Sequence, residues 1–288
     1  MTRQHHSRSR NPLRLEIASW PVSFAAAIAA LLAICGAGQA AMVSVDTTGG
    51  ADDTGLAATS TTVVGAIDLT IAGFDIAATN SDRMLLVAVG GNEWNGAPGT
   101  VSVSYGDQAL TPINGSDTTA DGIYSGLFFL SDAGISAATG DDVTVTLGGG
   151  MQNRSGDILG MAAISLYDAA QSVPSTFNHA DGNGTVASTS IATTTDGAMV
   201  VAALGAGQLW HIADGSTLWA QEEGGLTTSF NAGYRTVSTA GPVNVQFDKN
   251  GAVTRNWDLS AVAVNPVPEP TTALVMLGLA GCVFRRRR

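Results

Sequence analysis

Val143-Thr144-Val145-Thr146-Leu147 decides the fold class. Apolar and hydroxyl side chains alternate along it. Successive strand residues point to opposite faces, so one face of this segment is buried and the other is wet. Two further stretches, Met84-Leu85-Leu86-Val87-Ala88-Val89 and Met199-Val200-Val201-Ala202-Ala203-Leu204, are apolar without a break. Such runs belong to central strands covered on both sides. Outward from these three, short runs of Val, Thr, Ile and aromatic residues are bounded by Gly, Asp and Asn. They lie at 61–69, 101–105, 108–113, 123–130, 158–167, 186–193, 217–221, 230–237, 243–247 and 257–264. Gly106-Asp107, between two of them, fits a two-residue hairpin turn. Short strands at this spacing predict an all-β fold. The expectation is a single jelly-roll-like antiparallel β-sandwich over residues 41–265, flanked by an N-terminal signal helix and a C-terminal hydrophobic helix.

The two halves of the body are alike. Asp82-Arg83 before the first apolar run is matched by Asp196-Gly197 before the second, and each run leads on to a tryptophan, Trp94 or Trp210. An alternating strand and an Ala-rich closing strand follow in both. The interval from Asp82 to Val143 is 61 residues and that from Asp196 to Val243 is 47. That mismatch favours two Greek-key halves interleaved in one sandwich over a true duplication.

Charge is distributed unevenly. Of 13 Lys and Arg, Arg3, Arg8, Arg10 and Arg14 precede residue 41 and four more end the chain. The 230 residues between 41 and 270 keep five cations against 23 carboxylates, a net of −18. Nucleic acid and anionic lipid surfaces both require a basic footprint, so neither is a partner of the body. Both cysteines, Cys35 and Cys282, sit in apolar segments outside the body, which must hold together without disulfides.

Both ends read as addresses. The four early arginines precede an apolar, Ala-rich stretch over 22–34 and the small residues Gly38-Gln39-Ala40. That is a secretory signal peptide over 1–40, cut by signal peptidase between Ala40 and Ala41. No Arg-Arg pair precedes the stretch, which favours the general secretory route. Ile34 stands where a lipobox before Cys35 needs a small residue. At the other end, Val267-Pro268-Glu269-Pro270 is followed by uncharged residues 271–284 and then Arg285-Arg286-Arg287-Arg288. The prolines hold the motif extended. The 14 apolar residues span about 21 Å as a helix, short of a hydrocarbon core of roughly 30 Å. Thinning of the bilayer and snorkelling of the arginines make up the difference. Four arginines stay on the cytoplasmic side, so the tail anchors the body outside the inner membrane.

In its three-part order this tail, 266–288, resembles the PEP-CTERM sorting signal of Gram-negative bacteria. The resemblance implies processing near Pro-Glu-Pro by an exosortase, transient membrane anchoring, delivery to the cell surface or matrix, and a setting of exopolysaccharide and biofilm. A plain single-pass anchor that is never cut is the alternative. The body, through Arg83 to Val89, the hairpin from Val103 to Thr111, the strand near Phe128, Val143 to Leu147 and Trp257 to Val264, resembles bacterial surface β-sandwich domains. That resemblance implies no activity and no catalytic residues.

The body has two histidines, His179 and His211, and no cysteine. It lacks a Gly-x-Ser-x-Gly elbow, a His-Glu-x-x-His helix and a phosphate loop, which points to a non-enzymatic protein. With 23 scattered carboxylates no glycosidase pair stands out, and a glycan hydrolase is the least favoured reading. Asp181 and Asn183, read as part of an Asp-Gly-Asn-Gly loop, offer oxygen ligands to calcium, as do Asp52-Asp53, Asp117 with Asp121, and Asp141-Asp142. Ordinary turns use the same residues. Trp94, Trp210 and Trp219 are candidate glycan contacts, since exposed indoles stack on sugar faces. Core packing is the alternative for each, and Trp257 belongs to the core.

Overall fold

The computed structural model describes residues 41–46, 55–63, 65–91, 100–113, 122–148, 158–208, 210–213, 216–224, 228–249 and 251–268. In the first half the strands are β1 (Ser44–Val45), β2 (Leu56–Thr61), β3 (Asp68–Ile71), β4 (Met84–Gly91), β5 (Thr100–Tyr105), β6 (Gln108–Ala109), β7 (Thr111–Pro112), β8 (Tyr124–Ser131), β9 (Val143–Gly148) and β10 (Leu159–Tyr167), with one short helix, α1 (Asp132–Ala137). The second half contributes β11 (Thr176–Gly184), β12 (Val186–Thr193), β13 (Ala198–Ala206), β14 (Trp210–Ile212), β15 (Thr217–Gly224), β16 (Thr228–Val237), β17 (Gly241–Lys249) and β18 (Arg255–Val264). Every strand pairing is antiparallel, as the sequence led us to expect.

Each half closes its own pair of sheets. In the first, an inner sheet runs β2-β10-β4-β8-β7, with β1 beside β2 on β10, and an outer sheet runs β3-β9-β5-β6. In the second, the inner sheet runs β11-β18-β13-β16-β15 and the outer sheet β12-β17-β14. Set β1 and β6 aside and number each half's strands from one to eight. Both inner sheets then read 1-8-3-6-5 and both outer sheets 2-7-4. This is jelly-roll topology, with the fifth strand paired to the sixth. The halves therefore do not interleave. They are the same roll twice, and the extra length of the first is taken up between strands, where α1 also sits.

Burial explains the two kinds of apolar pattern. The inner sheets pack face to face, so β4 and β13 are buried along their whole length. Outer strands have one wet face, and β9 and β12 alternate. Three apolar layers result. The first, including Leu85, Val87, Phe128, Val143 and Val145, fills the first roll. The last, including Val200, Leu204, Trp210, Val245 and Phe247, fills the second. Between the inner sheets lies a seam of Met84, Leu86, Leu127, Ile164, Met199, Val201, Phe230 and Val262. Glycine makes the seam thin. A Cβ on Gly90 would lie 2.6 Å from the Phe230 ring, and one on Gly160 would lie 2.5 Å from it. A Cβ on Gly205 would collide with the Tyr124 carbonyl oxygen.

Several local expectations need correction. The strand expected over 61–69 is two strands, β2 and β3, split around a turn in which Ala66 N–H donates to the Val63 carbonyl and Gly65 has φ +77°. The run 108–113 changes sheets at Leu110, with β6 in the outer sheet and β7 in the inner one. The Gly106-Asp107 turn forms as expected, with Gly106 at φ +54°. There the Thr139 N–H, then the Gln108 amide, hold the Asp107 carboxyl below its usual value.

Tyr105 at the end of β5 is 5% exposed. Burial, then the carboxylates of Asp75 and Asp141, push its phenol up from 10.0 to about 12, with Arg83 acting the other way. The folded state then keeps a proton that the unfolded chain loses. The stability this contributes is whole below pH 10 and drains away as pH rises towards about 12. Denaturant melts from pH 9 upward should show a shallower alkaline loss in Tyr105→Phe than in the parent. Equal losses would refute the assignment.

Candidate functional site

The residues with chemistry to offer gather at one end of the seam. Asp258 and Ser260 alternate with Trp257, Leu259 and Ala261 along β18, so they point into the seam while the apolar residues face the second roll's interior. Ser125 on β8 meets them from the first roll. Its hydroxyl donates to Asp258 Oδ1 at 2.5 Å, lies 2.9 Å from Ser260 Oγ, and Ser260 Oγ donates back to the Ser125 carbonyl at 3.1 Å. His179, opposite Ser260 on β11, places Nε2 3.0 Å from the same Asp258 oxygen. Asp258, Ser125 and Ser260 are fully buried, and only the imidazole reaches solvent. The glycine at position 205, opposite Asp258, is what lets the two backbones come close enough for these bonds.

The carboxyl stands between hydroxyl and imidazole. A nucleophilic triad needs the imidazole in the middle, so this arrangement does not activate Ser125 for attack. What it can do is hold two rolls in one register through directional bonds in an otherwise apolar layer. Sequence reasoning passed over it. The signal was present in Trp257-Asp258-Leu259-Ser260-Ala261: a central strand buried on both faces cannot carry Asp and Ser without partners.

The anticipated sites fare unequally. Asp181 and Asn183 are not in a loop. They lie on β11, opposite Asp258 and Asn256, and the Asn183 side-chain amide donates to Asn256 Oδ1. Strand pairing with β18 overrides the turn-like composition. Of the other calcium candidates, Asp142 accepts from Gly73 N–H with its carboxylate, and Asp141 from Phe74 N–H with its carbonyl. Asp52, Asp53, Asp117 and Asp121 lie outside the described residues. Among the described residues no three His, Cys, Asp or Glu side chains gather closely enough to hold a metal ion.

Trp210 is not an edge indole. It is fully buried and its ring N–H donates to the Gly207 carbonyl at 2.9 Å, so it presents no face to a sugar. Trp219 lies on β15 at an irregularity in its pairing with β16. Trp94 is outside the described residues. Trp257 is buried, as expected, with its ring laid over Gly182 across the strand pair.

The beginning of the sorting motif is fastened to the body. After β18, Pro266 bridges to Ala169 in the linker between the rolls. The Asn265 carbonyl accepts from Ala170 N–H at 2.9 Å, and Val267 N–H donates to the Asp168 carbonyl at 3.0 Å. Thr195 Oγ donates to the Asn265 side chain at 2.9 Å. The linker is itself fixed to the first roll: Ala169 N–H donates to the Asp82 carbonyl at 3.1 Å, and Gln171 Nε2 to the Ala169 and Arg83 carbonyls. Pro268 is exposed. Glu269, Pro270, the apolar stretch and Arg285 to Arg288 lie outside the described residues, as do residues 1–40, expected from the sequence to be a signal peptide. Among the described residues no helix is long and apolar enough to cross a membrane.

No curated protein and no solved structure matches the chain. A family model does match its end: residues 266–288 fit the PEP-CTERM protein-sorting motif. The chain thus joins an antiparallel β-sandwich body to the sorting signal of an exported, exosortase-sorted protein.

Proposed function

We propose that this is a non-enzymatic structural protein of the cell surface or extracellular matrix, working among exopolysaccharide in a biofilm. Signal peptidase cuts between Ala40 and Ala41. The apolar tail with Arg285 to Arg288 halts the chain in the inner membrane, and exosortase then processes it near Pro268-Glu269-Pro270. The reading rests on the match over 266–288. It is supported by a body rich in carboxylates and free of cysteine. The decisive measurement is the intact mass and terminal peptides of the native protein from inner-membrane, outer-envelope and medium fractions. An N-terminus at Ala41 and a C-terminus near the motif, outside the inner membrane, are expected. A chain still ending at Arg288 and confined to the inner membrane would leave a plain anchor instead.

A second reading, glycan binding, is favoured by the wet faces of the outer sheets. Thr70, Thr144 and Ser104 lie side by side across β3, β9 and β5, with Thr146 and Ser102 in the next row. Ser188 and Ser190 on β12 stand opposite Gln246 and Asn244 on β17. These hydroxyls and amides are flanked by the exposed carboxylate of Asp68, opposite Thr146, and by Asp248 on β17, on a body of net charge −18, which suits an uncharged polysaccharide better than an anionic one. Retardation in gels cast with neutral glycans should weaken in a Thr70→Glu, Thr144→Glu variant that melts like the parent. No retardation by any neutral glycan would dispose of this reading and leave the first intact.

A further inference from the structure

Proteolysis in or beside Pro268-Glu269-Pro270 requires several residues around the cut bond to lie extended and free in the protease. The residues just before Pro268 are not free. Asn265, Pro266 and Val267 form a strap on the linker, held by the two backbone bonds that make the Ala169–Pro266 bridge and by the Thr195 contact. Pro266 is buried. The receptor is preset, because Asp168 and Asp82 both sit at positive φ, 55° and 52°, and the linker is bonded to the entry of β4. The slack beyond the strap is small. Only Pro268, Glu269 and Pro270 separate the strap from the apolar stretch, and three residues reach at most about 11 Å. A strap left docked keeps the whole folded body against the place of processing.

We infer that undocking of Asn265–Val267 from Asp168–Ala170 is a required step before the sorting motif is processed. This rests on the reading of the tail as a processed signal. The strap is the final described element of the second roll, and it docks on a linker positioned by the first. Processing is therefore tied to local opening at the junction of both rolls, and its rate follows the population of the open form.

Two variants of the full chain, expressed in its own host, test the inference. Ten Gly/Ser residues inserted between Val267 and Pro268 keep the strap and the Pro-Glu-Pro unit but separate them. Tail loss, followed by pulse-chase and C-terminal mass, should quicken at least about threefold, since the motif no longer waits for opening. Ala169→Cys with Pro266→Cys should instead staple the strap, because antiparallel bridge partners stand about 4.5–5.5 Å apart at Cα, within disulfide range. Tail loss should slow at least about tenfold and recover when the staple is combined with the insert. That recovery separates a held strap from a misfolded body. Stapled and parent chains losing their tails at one rate, or an insert without effect, would overturn the inference alone. If neither parent nor insert-bearing chain loses its tail, the sorting reading itself fails, and the inference falls with it.

Discussion

Phe230→Ala should cost about 4 kcal/mol, the usual penalty for emptying a fully buried aromatic site. In a domain of this length that is a fall of roughly 8–16 °C in melting temperature. Phe230 has no exposure and its ring lies on Gly90 and Gly160, neighbours in register on β4 and β10. Glycines cannot collapse into the space, so the cavity persists and the loss is not relieved by repacking. The ring belongs to the second roll and its seat to the first, so the variant should loosen their union more than either interior. Amides of β4 and β13 should lose exchange protection before those of β9 and β17. A melting point within about 2 °C of the parent would mean that the seam repacks freely, contrary to the glycine contacts.

Asp258→Ala should cost about 3 kcal/mol, because it strips an acceptor from the fully buried Ser125 hydroxyl and from the half-buried His179. Asp258→Asn, which keeps an oxygen for Ser125, should cost about 1 kcal/mol. A double-mutant cycle of Ser125→Ala with Asp258→Ala should return a coupling above about 1 kcal/mol. Urea unfolding measures all three. Additive single effects would show that the bond across the seam contributes little beyond its burial.

Much of the architecture was legible because burial writes itself into period. The alternation of Val143 to Leu147 marked an outer strand, and the unbroken runs at Met84 and Met199 marked inner ones. What stayed hidden depended on contacts far apart in the chain. Asp181-Gly182-Asn183-Gly184 reads as a loop because Asn, Asp and Gly favour turns locally, yet it ends a strand of nine residues paired with β18. Its Gly182 is there to admit the Trp257 indole. The duplication was masked by unequal intervals, which strand order ignores. Trp210 suggested a surface because it follows a central strand, but β14 turns its ring inward. The tail motif was readable in full, since a short linear signal needs no fold to be recognised. The strap that holds its first residues was not, because backbone bonds to a linker leave no mark in composition.

The pairing of first with last strand, β2 with β10 and β11 with β18, also sets a timetable. Each roll gathers contacts from the ends of its own segment, so it has high contact order and closes slowly. A chain emerging N-terminus first completes the first roll at Tyr167, and that roll's seam face stays uncovered until Val264 has arrived. By then only a handful of residues separate the newest strand from the apolar stretch beginning at Thr271. The last fold-completing step therefore falls just before the apolar stretch emerges, and the aggregation-prone interval ends there.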